Sequence, residues 1–145
     1  MNTQIRPAKR RDLKRIVQVY QEAYSAEPYN EVWETKNLTK KLKESWKSLD
    51  ILVLEIDQSI EGFVMGEIYR WHDGLRGHIE DFGITKQYQG QQLGGQLLEE
   101  MEKYLKKKGA HTLVLEVNEK APAERFYKRN GYQNSGYIQM EKKLE

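Results

Sequence analysis

The chain contains no cysteine among its 145 residues, only three prolines, and a formal charge of just +2 from 24 basic and 22 acidic side chains. The missing thiols exclude disulfides, thiolate zinc sites, iron–sulfur clusters and a cysteine nucleophile. A near-balanced charge supplies no net field to recruit a polyanion, so nucleic acid is not an expected partner. No apolar run approaches the roughly 20 residues of a membrane helix, and no membrane partner is expected either. The opening MNTQIRPAKRRDLKR is charged throughout and lacks the apolar centre of a secretory leader. The expectation is a single cytoplasmic domain over residues 1–145, long enough to bury a core without staples.

Hydrophobic periodicity divides that domain into elements. The residues around Ile5 read as a short first strand, ended or placed at an edge by Pro7. Leu13, Ile16, Val17, Tyr20, Ala23 and Tyr24 recur at helical steps and define one buried stripe. Pro28 and Asn30 break that pattern, so Ser25–Glu34 reads as a loop. A second amphipathic helix carries Leu38, Leu42, Trp46 and Leu49. Ile51–Ile56 and Ile60–Trp71 read as hairpin strands around a turn at Asp57-Gln58-Ser59. His72–Gly77 reads as a glycine-bounded loop and Gly77–Ile84 as another strand. Gln92–Lys108 is the strongest helix, with three lysines complementing the dipole at its end and Gly109 capping it. A strand at Thr112–Val117, a short helix at Ala123–Asn130 and a last alternating strand at Tyr137–Leu144 complete the chain. The predicted class is α/β (α+β): a mixed, mostly antiparallel sheet of about six or seven strands with helices on both faces. Its element order is β-α-α-β-β-β-α-β-α-β, with a right-handed crossover between Gly77 and Val117.

The most informative stretch is Gln89-Gly90-Gln91-Gln92-Leu93-Gly94-Gly95, between a strand and the strong helix. Its glycines allow close backbone approach and positive φ, and a helix N-terminus favours an anion such as a diphosphate. It carries no Gly-Lys-Ser/Thr and does not match Gly-x-Gly-x-x-Gly, so neither common nucleotide loop is present. From the glycines alone it reads either as an anion cradle or as an unliganded turn.

Gln89-x-x-Gln92-x-Gly94 resembles the Gln/Arg-x-x-Gly-x-Gly/Ala signature of the GNAT superfamily of acyl-CoA-dependent N-acetyltransferases. Ala123–Tyr132, AERFYKRNGY, resembles that family's Ala-x-x-x-Tyr-x-x-x-Gly-Phe helix and its stop. The element order agrees along the whole chain, and the motif match runs over roughly residues 78–132. Gln92 stands where the signature has its middle glycine, and Asn118 stands two residues before the expected asparagine position, which Lys120 fills.

The resemblance implies acetyl-CoA as acyl donor, with no metal. The amides of Gln91, Gln92, Leu93, Gly94 and Gly95 would hold the pyrophosphate, and Gln89 and Gly90 would shape the loop. The backbone of Phe82, Gly83 and Ile84 would pair with pantetheine as an added strand, with Asn118 bonding the same arm. The acetyl group would lie where the strands on either side of the strong helix splay.

An alkylammonium of pKa near 10.4 is only about one part in a thousand neutral at pH 7.4, a deficit of about 4 kcal/mol, so a proton acceptor is needed. The family's base positions correspond to Glu80 and His78, which share a strand face if side chains alternate, with Asp81 on the other. Glu80 is the first candidate and His78 its partner or substitute. Tyr127 occupies the family's acid position and would protonate the departing thiolate, while its packing against the sheet is the competing reading. A Glu80–His78 metal site has no third ligand nearby in sequence.

For the acceptor, Tyr29, Glu31 and Trp33 in the first loop, with Trp71 at the hairpin, suit an amine-bearing cation. A solvated acidic loop anchored by its aromatics is the alternative. The expected function is acetyl transfer from acetyl-CoA to a primary amine of a small molecule, directly in a ternary complex. The alternatives are a protein N-terminal or lysine acetyltransferase, and a non-catalytic acyl-CoA-binding module. Expected partners are a small-molecule amine or a peptide, with a homodimer left open.

Overall fold

The computed structural model describes residues 1–145. Five strands form one sheet: β1 (Thr3–Pro7), β2 (Asp50–Ile56), β3 (Ser59–Trp71), β4 (Gly74–Ile84) and β5 (Thr112–Leu115). They lie in sequence order, with β1 to β4 antiparallel and β5 parallel to β4. Helices α1 (Leu13–Ser25) and α2 (Thr35–Ser48) lie between β1 and β2 in the chain; α3 (Leu93–Lys107) crosses from β4 to β5, and α4 (Ala123–Arg129) follows. No helix is long and apolar enough to cross a membrane.

Alternation in the strands divides the core into two layers. Val53, Phe63 and Met65 face α1 and α2, where Ile16, Val19, Tyr20, Leu38 and Leu42 are buried. Leu52, Leu54, Val64 and Ile79 face α3 and its stripe of Leu97, Leu98, Met101 and Leu105. Helices therefore cover both faces, as the two helical stripes require.

Three expectations are corrected. The segment read as a loop at His72–Gly77 is a tight hairpin. Trp71 pairs with Gly74, which takes φ +128 there, and β4 begins at once because its alternation already runs through Leu75, Gly77 and Ile79. The sheet has five strands rather than six or seven, because Tyr137–Leu144 pairs with nothing. An alternating segment becomes a strand only when a neighbour takes its backbone groups.

The third correction concerns which side chains share a face. Met65 is opposite Asp81 while Gly66 is opposite Ile79, so β4 carries one extra residue, a bulge, around Glu80. Before the bulge, odd positions face α3, as Ile79 does; after it they face α1. Asp81 meets Tyr20 and Lys41, and a Cβ on Gly83 would meet Ala23. Asp81 therefore joins His78 and Glu80 on the α1 side, and Phe82 turns to the α3 side instead.

Candidate active site

The bulge coincides with the parting of two strands. Parallel pairing between β4 and β5 ends at Ile79 with Leu115, yet β4 continues to Ile84. The edge beyond the parting has side-chain partners instead of a strand. Tyr24 of α1 reaches across: its hydroxyl donates to the Phe82 carbonyl at 3.1 Å and accepts the Phe82 N–H at 3.2 Å. The Gln89 side-chain amide donates to the Ile84 carbonyl at 2.9 Å, tying the glycine loop to the strand end.

That loop enters α3 through Gln92, a left-handed residue at φ 66. The signature's glycine thus meets here a conformation that costs an L-residue about 1–2 kcal/mol. Gly90 is also left-handed, at φ +78, with open space where a Cβ would stand. The first turn of α3 has no side-chain cap and no acidic residue. Orphan N–H groups at the positive end of a 15-residue helix, flanked by exposed Gly90 and Gln91, fit a diphosphate. Leu93 is buried in the α3 layer and anchors this turn. Gly94 serves a different purpose from its neighbours. A Cβ there would stand 3.3 Å from Phe82 and 3.7 Å from both Ile84 and Phe126, so its smallness lets α3, β4 and α4 close together. Gly95 is freer, its nearest neighbour being the Asn130 side chain at 3.7 Å.

Tyr127 is half-buried in an aromatic group, with Phe126 at 5.2 Å, Tyr132 at 5.7 Å and Phe82 at 6.2 Å between ring centres. Its hydroxyl has no hydrogen-bond partner in the chain. Burial first, and then the nearby Tyr29 and Asp81, push this phenol well above the ordinary tyrosine range. Burial and Asp81 do the same to Tyr20 and Tyr24. The phenols of Tyr20, Tyr24 and Tyr127 each feel the Asp81 carboxylate, and each holds its proton. Asp81 itself is buried and paired with Lys41 at 3.0 Å and with the Tyr20 hydroxyl at 3.3 Å.

His78 and Glu80 are brought together, and the sheet adds two carboxylates that sequence spacing did not indicate. Glu67, opposite His78 on β3, has a ligand-capable oxygen within 4.8 Å of those of His78 and Glu80. Glu116, beyond β5, bonds His78 Nε2 at 2.9 Å. Glu80 is exposed on the strand, accessible to an approaching amine. Asn118 uses its side-chain oxygen to accept the Lys120 N–H at 2.9 Å, and its amide N–H groups have no partner in the chain.

The loop residues pack on α1. Tyr29 lies 5.1 Å from Tyr24, Trp33 meets Tyr20 edge-on at 6.1 Å, and Trp33 Nε1 donates to Glu31 at 2.6 Å. Trp71 is not brought to them. It sits at the tip of the β3–β4 hairpin under the Arg76 guanidinium, roughly 20 Å from Glu80 at about 3.3 Å per residue.

Residues 13–132 match the sequence profile of the Acetyltransferase (GNAT) family. A mycothiol acetyltransferase of Stackebrandtia nassauensis is 27% identical over 84% of this chain, which spans only 41% of that protein. An N-alpha-acetyltransferase 30 of Schizosaccharomyces pombe is 29% identical over 83% of this chain and 77% of its own. The crystal structure of glucosamine-6-phosphate N-acetyltransferase from Arabidopsis thaliana superimposes with a TM-score of 0.77 at 21% identity, covering all of both chains.

Proposed function

The chain belongs to the acetyltransferase (GNAT) family, and on that premise we propose that it moves the acetyl group of acetyl-CoA to a primary amine of a small-molecule acceptor, directly, in a ternary complex. One observation carries the reading furthest: the edge of β4 from Glu80 to Ile84, left by β5 and lying beside an uncapped, glycine-bounded helix start. An extended pantetheine arm with a diphosphate at one end needs those two features side by side.

Acetyl-CoA, when bound, supplies an acyl group on a thioester whose sulfur leaves as the acceptor nitrogen takes the acyl carbon. The residues of this chain bind, orient and move protons. The first-turn amides from Gln91 to Gly95 hold the diphosphate, on a loop shaped by Gln89 and Gly90. Phe82, Gly83 and Ile84 offer the β4 edge, and Phe82 becomes available once the Tyr24 hydroxyl moves aside. Asn118 contributes its unpartnered amide. Glu80 takes the ammonium proton, with His78 held beside it by Glu116. Tyr127, kept protonated by burial, gives a proton to the leaving sulfur.

Tyr29, Glu31 and Trp33 form the near wall of the acceptor site, and Trp71 meets only an acceptor long enough to reach the hairpin tip. Likeness to N-alpha-acetyltransferase 30 supports a second reading, a protein N-terminus as acceptor. Calorimetric titration with acetyl-CoA, followed by thiol release assayed against small amines and N-terminal peptides, tests both. Micromolar binding is expected, with amine-dependent release that falls sharply in Glu80→Gln and Tyr127→Phe while acetyl-CoA binding is kept. No binding overturns the reading, and binding without turnover on any amine leaves an acyl-CoA-binding module.

A further inference from the structure

The net charge of +2 is the remainder of two unlike parts. Residues 9–15 and 36–47 hold ten of the 24 basic side chains but only two of the 22 acidic ones, so they carry +8 and the rest of the chain −6. Two of the ten are engaged inside the fold, Arg15 with Glu61 and Lys41 with Asp81, each at 3.0 Å. The other eight are exposed, and none of them is in an ion pair.

Lys36, Lys40, Lys43 and Lys47 step along α2 at intervals of four, three and four residues. At about 100° per residue they fall within roughly 60° of one another, opposite buried Leu38 and Leu42, over about 16 Å of helix. Lys9, Arg10, Arg11 and Lys14 stand at the entry to α1. The two groups share one surface, because α1 and α2 cover the same sheet face and run antiparallel. Gln21, late in α1, donates to the Trp33 carbonyl and the Thr35 hydroxyl at the start of α2, at 3.1 and 3.2 Å. At the other end the Ala8 N–H bonds the Ile51 carbonyl at 2.9 Å, which brings the entry to α1 beside the exit from α2.

Helix stability does not account for this arrangement. Lysines three and four residues apart repel, and Lys36, Arg10 and Arg11 stand at the positive ends of their helices. The first turn of α2 holds no acidic residue to offset them. Elsewhere the chain pairs its helical lysines: Lys103 has Glu99 and Glu100 at 3.6 Å, and Lys128 has Glu124 at 2.7 Å.

We propose that this face binds a nucleic-acid duplex through its phosphate backbone. No large apolar side chain is exposed in either segment, and Trp46 packs against the core. A protein interface needs buried apolar or aromatic anchors, a membrane-surface helix needs an apolar face to insert, and a single strand needs aromatic platforms for its bases. A duplex backbone needs only cations. About 16 Å of duplex carries roughly ten phosphates, close to the eight side chains this face offers.

Fluorescence anisotropy with labelled DNA and RNA duplexes of about 20 base pairs and one sequence tests the proposal, and comparing them tells which duplex is preferred. Micromolar binding is expected at about 50 mM salt, with log affinity falling linearly against log salt. Lys40→Gln with Lys43→Gln, folded by circular dichroism, is expected to weaken binding about ten-fold or more and to make that slope shallower by about two. Lys106→Gln with Lys107→Gln removes the same charge from the exposed end of α3 and is expected to leave affinity within about two-fold. No binding to either duplex, an equal loss in both variants, or tighter binding to phosphatidylserine vesicles than to either duplex overturns the proposal. None of these readouts needs catalytic activity, so they stand apart from the acetyl-transfer assay.

Discussion

The hydroxyl of Tyr24 satisfies both the N–H and the carbonyl of Phe82, on a β4 edge that β5 has already left. A helix side chain thereby stands where a paired strand, or an extended ligand, would make the same two hydrogen bonds. Tyr24→Phe keeps the ring packing against Tyr20 and Tyr29 and removes only this bridge. The free protein is expected to lose about 1–2 kcal/mol by urea denaturation. Acetyl-CoA no longer displaces a phenol, so calorimetry should show about five-fold tighter binding. Weaker binding would mean that the hydroxyl holds the ligand instead of competing with it.

Gln92 occupies a left-handed conformation at the entry to α3. Gln92→Gly removes its steric cost of about 1–2 kcal/mol, partly offset by about 0.5–1 kcal/mol of extra unfolded-state freedom. The expected net effect is a small rise in the denaturation midpoint with acetyl-CoA affinity kept or improved. A lower midpoint would show that the glutamine side chain makes a contribution larger than its strain.

Tyr127→Phe deletes a phenol whose burial holds its pKa well above the usual value. Turnover is expected to fall about 10²–10³-fold, while acetyl-CoA affinity stays within about two-fold. The wild-type phenol stays protonated through neutral pH, so an alkaline loss of kcat near pH 8–9 would belong to another group. Unchanged kcat in the variant would return Tyr127 to a packing role.

Glu67, His78 and Glu80 have the spacing of three metal ligands, but His78 Nε2 is already engaged by Glu116 at 2.9 Å. Activity after EDTA treatment and gel filtration is expected to equal that of the untreated protein. A loss restored by one divalent ion would make this cluster a metal site.

Acid stability is expected to depend on Asp12. Its carboxylate accepts from Arg6 Nη1 at 2.8 Å and from the Lys9 N–H at 2.7 Å, and the Arg6 bond above all holds its pKa below the usual carboxylate value. A folded-state pKa below the unfolded one contributes stability that is complete above about pH 4 and disappears as pH falls through the lowered value. Asp12→Asn should therefore destabilise at pH 7 and flatten the decline below pH 4, as followed by urea midpoints. Parallel curves for the two proteins would remove Asp12 from the acid transition.

The elements that sequence period revealed are those whose burial is local in cause. The stripe of Ile16, Val17 and Tyr20, and that of Leu97, Leu98, Met101 and Leu105, each repeat on one helix face and are buried. The glycine loop was legible for the same reason: left-handed turns and an uncapped helix start lie within a few consecutive residues. Alternation failed at Tyr137–Leu144, where the pattern is present but the neighbouring strand is not. It also failed at Asp81, which changes face because a single bulge shifts the register with β3.

The amino-acid sequence by itself determined the order of the helices and of the five paired strands, the two-layered core, the glycine-rich loop and the family, since propensity, period and motif all act along the chain. Only the tertiary structure decided the make-up of the site. Tyr24 meets Phe82 across 58 positions, Lys41 meets Asp81 across 40, and His78 meets Glu116 across 38. Glu67 reaches His78 and Glu80 only through pairing of β3 with β4. Such contacts follow from how helices cross a sheet and where a register slips, quantities set by the packing of the whole chain and written in no short stretch of it.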